Sequence, residues 1–231
     1  MTEYPTAVIW DLDGTLIDSA PDLATALNVL LRENNRAALE TDTVRTMIGN
    51  GVAKLVERGF RTTGDALQTS DLEGLVTRFL TIYEIRATDD TKLYDGALTA
   101  LQIFDDAGIR QAICTNKPEA VTRLILEGLS ISRFFSAVIG GDTTAEKKPN
   151  PLPLRDCLQA LGISPIDSLF VGDSAVDVAT AKAVNMQVGI VSHGYAREPV
   201  ASLGADFVID DLRTLPVFVS VNCNAKAAAQ C

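Results

Sequence analysis

Residues 7–18 read Ala7-Val8-Ile9-Trp10-Asp11-Leu12-Asp13-Gly14-Thr15-Leu16-Ile17-Asp18. Four apolar residues run straight into a pair of carboxylates. An unbroken apolar run fits a strand buried on both faces, as in a parallel sheet. Asp11 and Asp13 are two residues apart, so they point to the same side of an extended chain. At a strand end they form a site for a divalent cation with oxygen ligands. Gly14 permits a tight turn and Thr15 can cap the segment after it. Taken alone, the stretch also reads as a surface turn rich in Asp and Gly.

The pattern recurs along the chain. Gln111–Cys114 leads into Thr115-Asn116, Ala137–Ile139 into Gly140-Gly141-Asp142, and Leu169–Val171 into Gly172-Asp173. Val188–Val191 and Phe207–Ile209 repeat it. Helical spacing fills the intervals: Ala97 to Ala107, Glu119 to Glu127, Leu154 to Leu161, Asp177 to Val184. Alternating strand and helix predicts an α/β fold, a doubly wound, Rossmann-like parallel sheet. Such sheets bind ligands beyond the carboxyl ends of their strands, so Asp11, Thr115 and Asp173 are expected to converge.

One segment breaks the alternation. From Ser19 to Asp90 there is no strand-like run, only helical patterns over Leu23–Leu31, Val52–Phe60 and Leu72–Ile85, with a turn at Ile48-Gly49-Asn50-Gly51. The expected organisation is an α/β core formed by 1–18 and 91–231, with a helical domain of 19–90 inserted after the first strand.

Composition limits the function classes. The 231 residues carry 20 basic and 30 acidic side chains, a formal charge of −10, which disfavours nucleic acid as a partner. The N-terminus lacks the basic-then-apolar order of a signal peptide, and no apolar run is long enough to span a membrane. The four cysteines form no C-x-x-C pair, which argues against a zinc site and for a reduced, cytoplasmic protein. Cys223 and Cys231, in an alanine-containing tail, are expected to be free thiols. Cys114 and Trp10 read as core residues, and the single histidine, His193, as a residue at a pocket rim.

Three further features bear on chemistry. Thr115-Asn116-Lys117-Pro118 places a hydroxyl and backbone N–H groups between a strand and a helix, a phosphate nest or a simple helix cap. Lys147 and Lys148 precede the stiff stretch Pro149-Asn150-Pro151-Leu152-Pro153, which can aim an ammonium at a phosphate or leave it in solvent. Asp173 closes a strand, and Asp177 lies in the first turn of the next helix, where it also suits the helix dipole.

In this order, these features resemble the haloacid dehalogenase-like hydrolase superfamily, and within it the phosphoglycolate phosphatase family. The likeness runs from Thr6 to Pro216. Besides the four motifs, Ile48–Arg58, Val138–Asp142 and His193-Gly194-Tyr195 carry it. The resemblance implies a two-step hydrolysis of a small phosphorylated metabolite, 2-phosphoglycolate. Asp11 would be the nucleophile, forming an aspartyl phosphate. Asp13 would act as acid and then base. Mg²⁺ would be held by Asp11, the backbone carbonyl of Asp13, and Asp173, with Asp177 binding it or orienting its shell. Thr115 and the N–H of Asn116 would hold the phosphoryl oxygens. Lys148, the lysine directly before proline, would neutralise charge on Asp11 and the phosphate.

The helical insertion would be a cap over the site. Arg45, Gly49, Asn50, Gly51 and Lys54 are its candidates for the substrate's carboxylate. A monomer or homodimer is expected. Two other readings share these residues: a phosphatase or β-phosphoglucomutase-like phosphotransferase acting on another small ester, and a non-catalytic regulatory module on the same fold.

Overall fold

The structure, a computed structural model, describes residues 5–220; Cys223 and Cys231 lie outside them. All six apolar runs are strands: β1 Ala7–Trp10, β4 Arg110–Cys114, β5 Ala137–Ile139, β6 Ser168–Gly172, β7 Gln187–Val191 and β8 Phe207–Ile209. They form one sheet in the order β5-β4-β1-β6-β7-β8, with every pair parallel. The chain thus builds outward from β1 to one side through β4 and β5, then to the other through β6, β7 and β8. The reversal leaves a crevice at the carboxyl ends of β1, β4 and β6.

Side chains alternate along β1, as a strand requires. Val8 and Trp10 face one apolar cluster with Leu101 and Phe104 of α5 (Ala97–Asp106) and Val121 and Ile125 of α6 (Glu119–Gly128). Ala7 and Ile9 face the other, with Leu154 and Leu158 of α7 (Leu152–Leu161) and Val178 and Ala181 of α8 (Ala175–Lys182). The strands are therefore covered on both faces, which is why they read as continuous apolar runs.

Trp10 is the anchor of the first cluster. It is fully buried, packs 6.0 Å from the Phe104 ring, and donates its indole N–H to Gln111 Oε1 at 3.1 Å. Gln111 in turn donates to the Leu101 carbonyl. The packing role expected of Trp10 is the one observed. Cys114 is likewise buried, as a free thiol.

After β1 the chain forms a short antiparallel pair, β2 (Ile17–Asp18) with β3 (Lys92–Leu93). Four helices lie between its two strands: α1 Ala20–Glu33, α2 Thr41–Arg45, α3 Val52–Thr63 and α4 Thr69–Glu84. α1 packs against the other three, and α3 against α4. Gly59 of α3 lies so near Leu27 of α1 that a Cβ there would come within 2.9 Å of its methyl. Asp22, buried in the first turn of α1, accepts the N–H groups of Asp90 and Thr91 and the Thr91 hydroxyl. This clasp fixes the outgoing and returning chains side by side.

Trp10→Ala empties the largest fully buried side-chain volume and leaves the Gln111 carbonyl oxygen without its donor. It should lower unfolding stability by about 3–5 kcal/mol, read from urea denaturation by circular dichroism.

Candidate active site

The strand ends fix the first three side chains. Trp10 lies in register with Ile113 and Val171, so the residues after β1, β4 and β6 are neighbours. These are Asp11, Thr115 and Asp173, all buried. Lys148, in the segment between β5 and α7, reaches into this crevice. Its ammonium lies 2.7 Å from Asp177 Oδ1 and 2.9 Å from Asp11 Oδ1, the second an ion contact without hydrogen-bond alignment. The other oxygen of Asp177 accepts from the N–H of Asp173 and from the N–H and hydroxyl of Ser174, closing a capping box at the start of α8. Asp173 Oδ2 accepts the N–H of Tyr195 at 2.6 Å. Gly14 adopts φ +83°, and a Cβ there would fall 2.3 Å from Asp173 Oδ2, so this turn needs glycine on both counts.

Electrostatics favour a cation here. Burial lifts the Asp11 carboxyl to about 6, against the pull of Lys148 and with Asp177 adding to the rise. Burial, then Asp177 and Asp11, push Asp173 well above the usual carboxylate range. Burial works against the charge of Lys148, yet Asp11 and Asp177 prevail and raise its pKa. Asp11, Asp173 and Asp177 offer oxygens within 4.8 Å of one another, against one ammonium. An all-oxygen, buried, anionic donor set of this kind suits a hard divalent cation.

The profile of the haloacid dehalogenase-like hydrolases matches residues 8–191. This chain belongs to that family. A phosphoglycolate phosphatase of Rhodospirillum rubrum is 45% identical over 91% of this hydrolase and 89% of its own length. One from Caulobacter vibrioides is 36% identical over 90% and 88%. The crystal structure of a predicted phosphoglycolate phosphatase from Haemophilus somnus superposes with a TM-score of 0.88 at 30% identity, covering 94% of this hydrolase and 99% of that chain.

In this haloacid dehalogenase-like hydrolase a cavity of about 30 Å³ lies over Asp11, room for a few waters at most. Asp13, Thr115, Asn116 and Lys117 line it from the sheet side; Leu23, Ile48, Gly49, Gly51, Val52, Leu55 and Tyr83 line it from the helical segment. The Asn116 side chain is not free to grip a ligand. It bonds both the N–H and carbonyl of Lys148 and the carbonyl of Gly49. Its role in the architecture is to tie the lysine's backbone and the 48–51 turn to β4.

The Asp13 carboxylate stands apart from the other three. It accepts from Ser19 Oγ at 2.5 Å and from Lys117 Nζ at 3.0 and 3.2 Å. Lys117 also donates to the Tyr83 hydroxyl at 2.8 Å. Burial opposes its charge, but Asp13 and then Tyr83 outweigh that and raise its pKa. Sequence reasoning missed both residues. Lys117 was quoted only as part of Thr115–Pro118 and given no role, and Tyr83 lay unnamed within the helical pattern Leu72–Ile85.

The five helical-segment candidates separate. Gly49 and Gly51 line the cavity. Asn50 faces away, accepting from Arg58 and Arg197. Arg45 makes a two-point pair with Asp18 and stacks 5.2 Å from the Tyr195 ring. Lys54 pairs with Glu57 at the exposed side of α3, 2.6 Å away. Neither cation lines the cavity. Arg197 was also unforeseen; it donates to the carbonyls of Thr46 and Ile48 and so holds this loop against the segment that follows β7. His193, half-buried, contacts the Thr15 carbonyl and the Tyr94 ring, beside the β2–β3 pair rather than in the cavity.

The raised Asp11 pKa sets a pH dependence. Between about pH 4 and 6 the folded chain holds more protons than the unfolded one, so this group makes cation-free stability fall as pH rises through that window. A divalent cation competes with those protons. Its stabilisation should be full above pH 6 and fade as pH drops through 6. Thermal unfolding with chelator or excess cation should show this, and Asp173→Asn should lose most of the cation effect; a gain of equal size at every pH would refute it. Lys54→Ala should leave kcat/KM within about twofold, since an exposed pair contributes little; steady-state phosphate release measures it.

Proposed function

We propose that this hydrolase releases phosphate from 2-phosphoglycolate, giving glycolate. The observation that carries the reading is the buried Asp11–Lys148–Asp177 contact beside Asp173 at the reversal point of the sheet. The name shared by the relatives at 45% and 36% identity supports the substrate.

In this reading the Asp11 carboxylate attacks phosphorus, forming an aspartyl phosphate and expelling the glycolate oxygen. Asp13 protonates that oxygen and then takes a proton from the water that cleaves the intermediate. Thr115 Oγ and the main-chain N–H of Asn116 hold the phosphoryl oxygens. Lys148 balances the charge of Asp11 as the dianionic phosphate approaches. Mg²⁺, held by Asp11, Asp173 and the main-chain carbonyl of Asp13, would offset the repulsion between two anions. Asp177 orients Lys148 and the turn that carries Asp173.

Residues 19–90 would form a cap domain on a core of 1–18 and 91–231. In this reading the helical segment opens to admit the substrate and closes over it. Closure then excludes water from a reactive acyl phosphate. The protein would work in the reduced cytoplasm, alone or as a homodimer. No helix among the described residues is long and apolar enough to cross a membrane.

Phosphate release across a panel of esters tests the reading. 2-Phosphoglycolate should be the best substrate in the presence of Mg²⁺, and Asp11→Asn should lower kcat by at least about 10³-fold. Faster turnover of glucose 1-phosphate or a nucleotide would overturn the substrate, and residual turnover near wild type would overturn the nucleophile.

A further inference from the structure

A substrate carboxylate brought into a closed pocket needs a counter-charge, because an unpaired buried ion is costly. Arg45 and Lys54 do not supply it. Among the described residues that line the cavity, the cationic side chain is Lys117, whose side chain is 2% exposed. We propose that Lys117 is the specificity-determining residue of this site: its ammonium binds the carboxylate of the substrate. The inference rests on the phosphoglycolate reading and extends it to the group that selects the substrate.

Position and reach support it. The ammonium is bracketed by Asp13 from the sheet side and by Tyr83 of α4 from the helical side, so it lies at the seam between them. An ammonium has three N–H donors. Asp13 and Tyr83 are two partner residues, and the two contacts to Asp13 can share one donor, which leaves one for a ligand. In the proposed reaction Asp13 faces the leaving oxygen. One methylene carbon separates that oxygen from the substrate's carboxylate. Because Lys117 touches Asp13, a leaving oxygen bonded to Asp13 puts the carboxylate beside the ammonium, closing a ring of hydrogen bonds. Leu23, Val52 and Leu55 give the methylene an apolar wall. A substrate with a longer spacer breaks this closure.

Lys117 also has a structural task, holding Asp13 against Tyr83, and the two roles predict different kinetics. The test compares kcat/KM for 2-phosphoglycolate and for ethyl phosphate, which lacks the carboxylate, in the wild type, Lys117→Met and Lys117→Arg. The wild type should prefer phosphoglycolate. Lys117→Met should lower both rates, because Asp13 loses its partner, but phosphoglycolate by about 10²-fold more than ethyl phosphate, so the preference collapses, with partial recovery in Lys117→Arg.

Equal fold-losses on both esters, which leave the preference unchanged, would mean that the ammonium serves Asp13 alone and that the carboxylate is read elsewhere; that overturns the inference while leaving the substrate reading intact. A wild type that prefers ethyl phosphate overturns the substrate reading, and this inference with it. Should Lys117→Met fail to fold, wild-type kinetics with the phosphate ester of 3-hydroxypropanoate decide. One added methylene should forfeit most of the advantage over ethyl phosphate, whereas turnover equal to phosphoglycolate overturns the inference.

Discussion

The Lys148 ammonium between Asp11 and Asp177 is the contact on which the site depends. Removing one partner from a buried ion pair leaves an uncompensated charge, which is far more costly than the pair itself. Here three carboxylates share a few ångströms of buried space, and the ammonium is what lets β1 and the start of α8 end so close together. The backbone of Lys148 is fixed in turn by the Asn116 side chain, which also reaches Gly49 across the cavity. The ends of β1, β4 and β6 and the loop opposite them are therefore one connected assembly. A cation completes its charge balance; the protein alone already holds the ligands in place.

The sheet was legible because burial on both faces leaves a direct mark on composition. Each of the six apolar runs is a strand, and the polar residues that end them meet. The helical patterns between them were equally plain, since one face of each packs on the sheet. What was not legible has physical reasons. β2 and β3 are two residues each, too short to show any alternation. α2 is five residues long, below the length at which helical spacing declares itself. The partners of Asp13 were hidden because nothing local distinguishes a buried lysine from a solvated one. Lys117 is buried only because Tyr83 and Asp13, distant in sequence, close over it. Arg45 and Lys54 misled for the converse reason. Positive charge near a glycine turn looks available until the competing carboxylates, Asp18 and Glu57, are located. The overall charge of −10 looked unfavourable for an anionic substrate, but four of those carboxylates converge on the crevice itself.

Beside an apolar cluster that runs through both, polar contacts tie the helical segment to the rest of the chain. Asp22 clasps the returning chain, Tyr195 accepts from the N–H groups of Ser19 and Ala20 while donating to Asp18, and Arg197 holds the carbonyls of the 46–48 loop. Tyr195 belongs to two systems at once, since its own N–H binds Asp173. The ligand cluster and the root of α1 are thus joined through a single residue, so the geometry of one constrains the other.

Trp10 adds a property that its packing role does not suggest. It is the sole tryptophan of the chain and the residue covalently preceding Asp11. Its indole is sealed from water against Phe104 and Gln111. Selective excitation therefore addresses one chromophore, at one place, next in sequence to Asp11. Its emission colour and quenching report the dielectric surroundings of the first strand alone, so the molecule carries a native optical gauge of that strand and needs no attached dye.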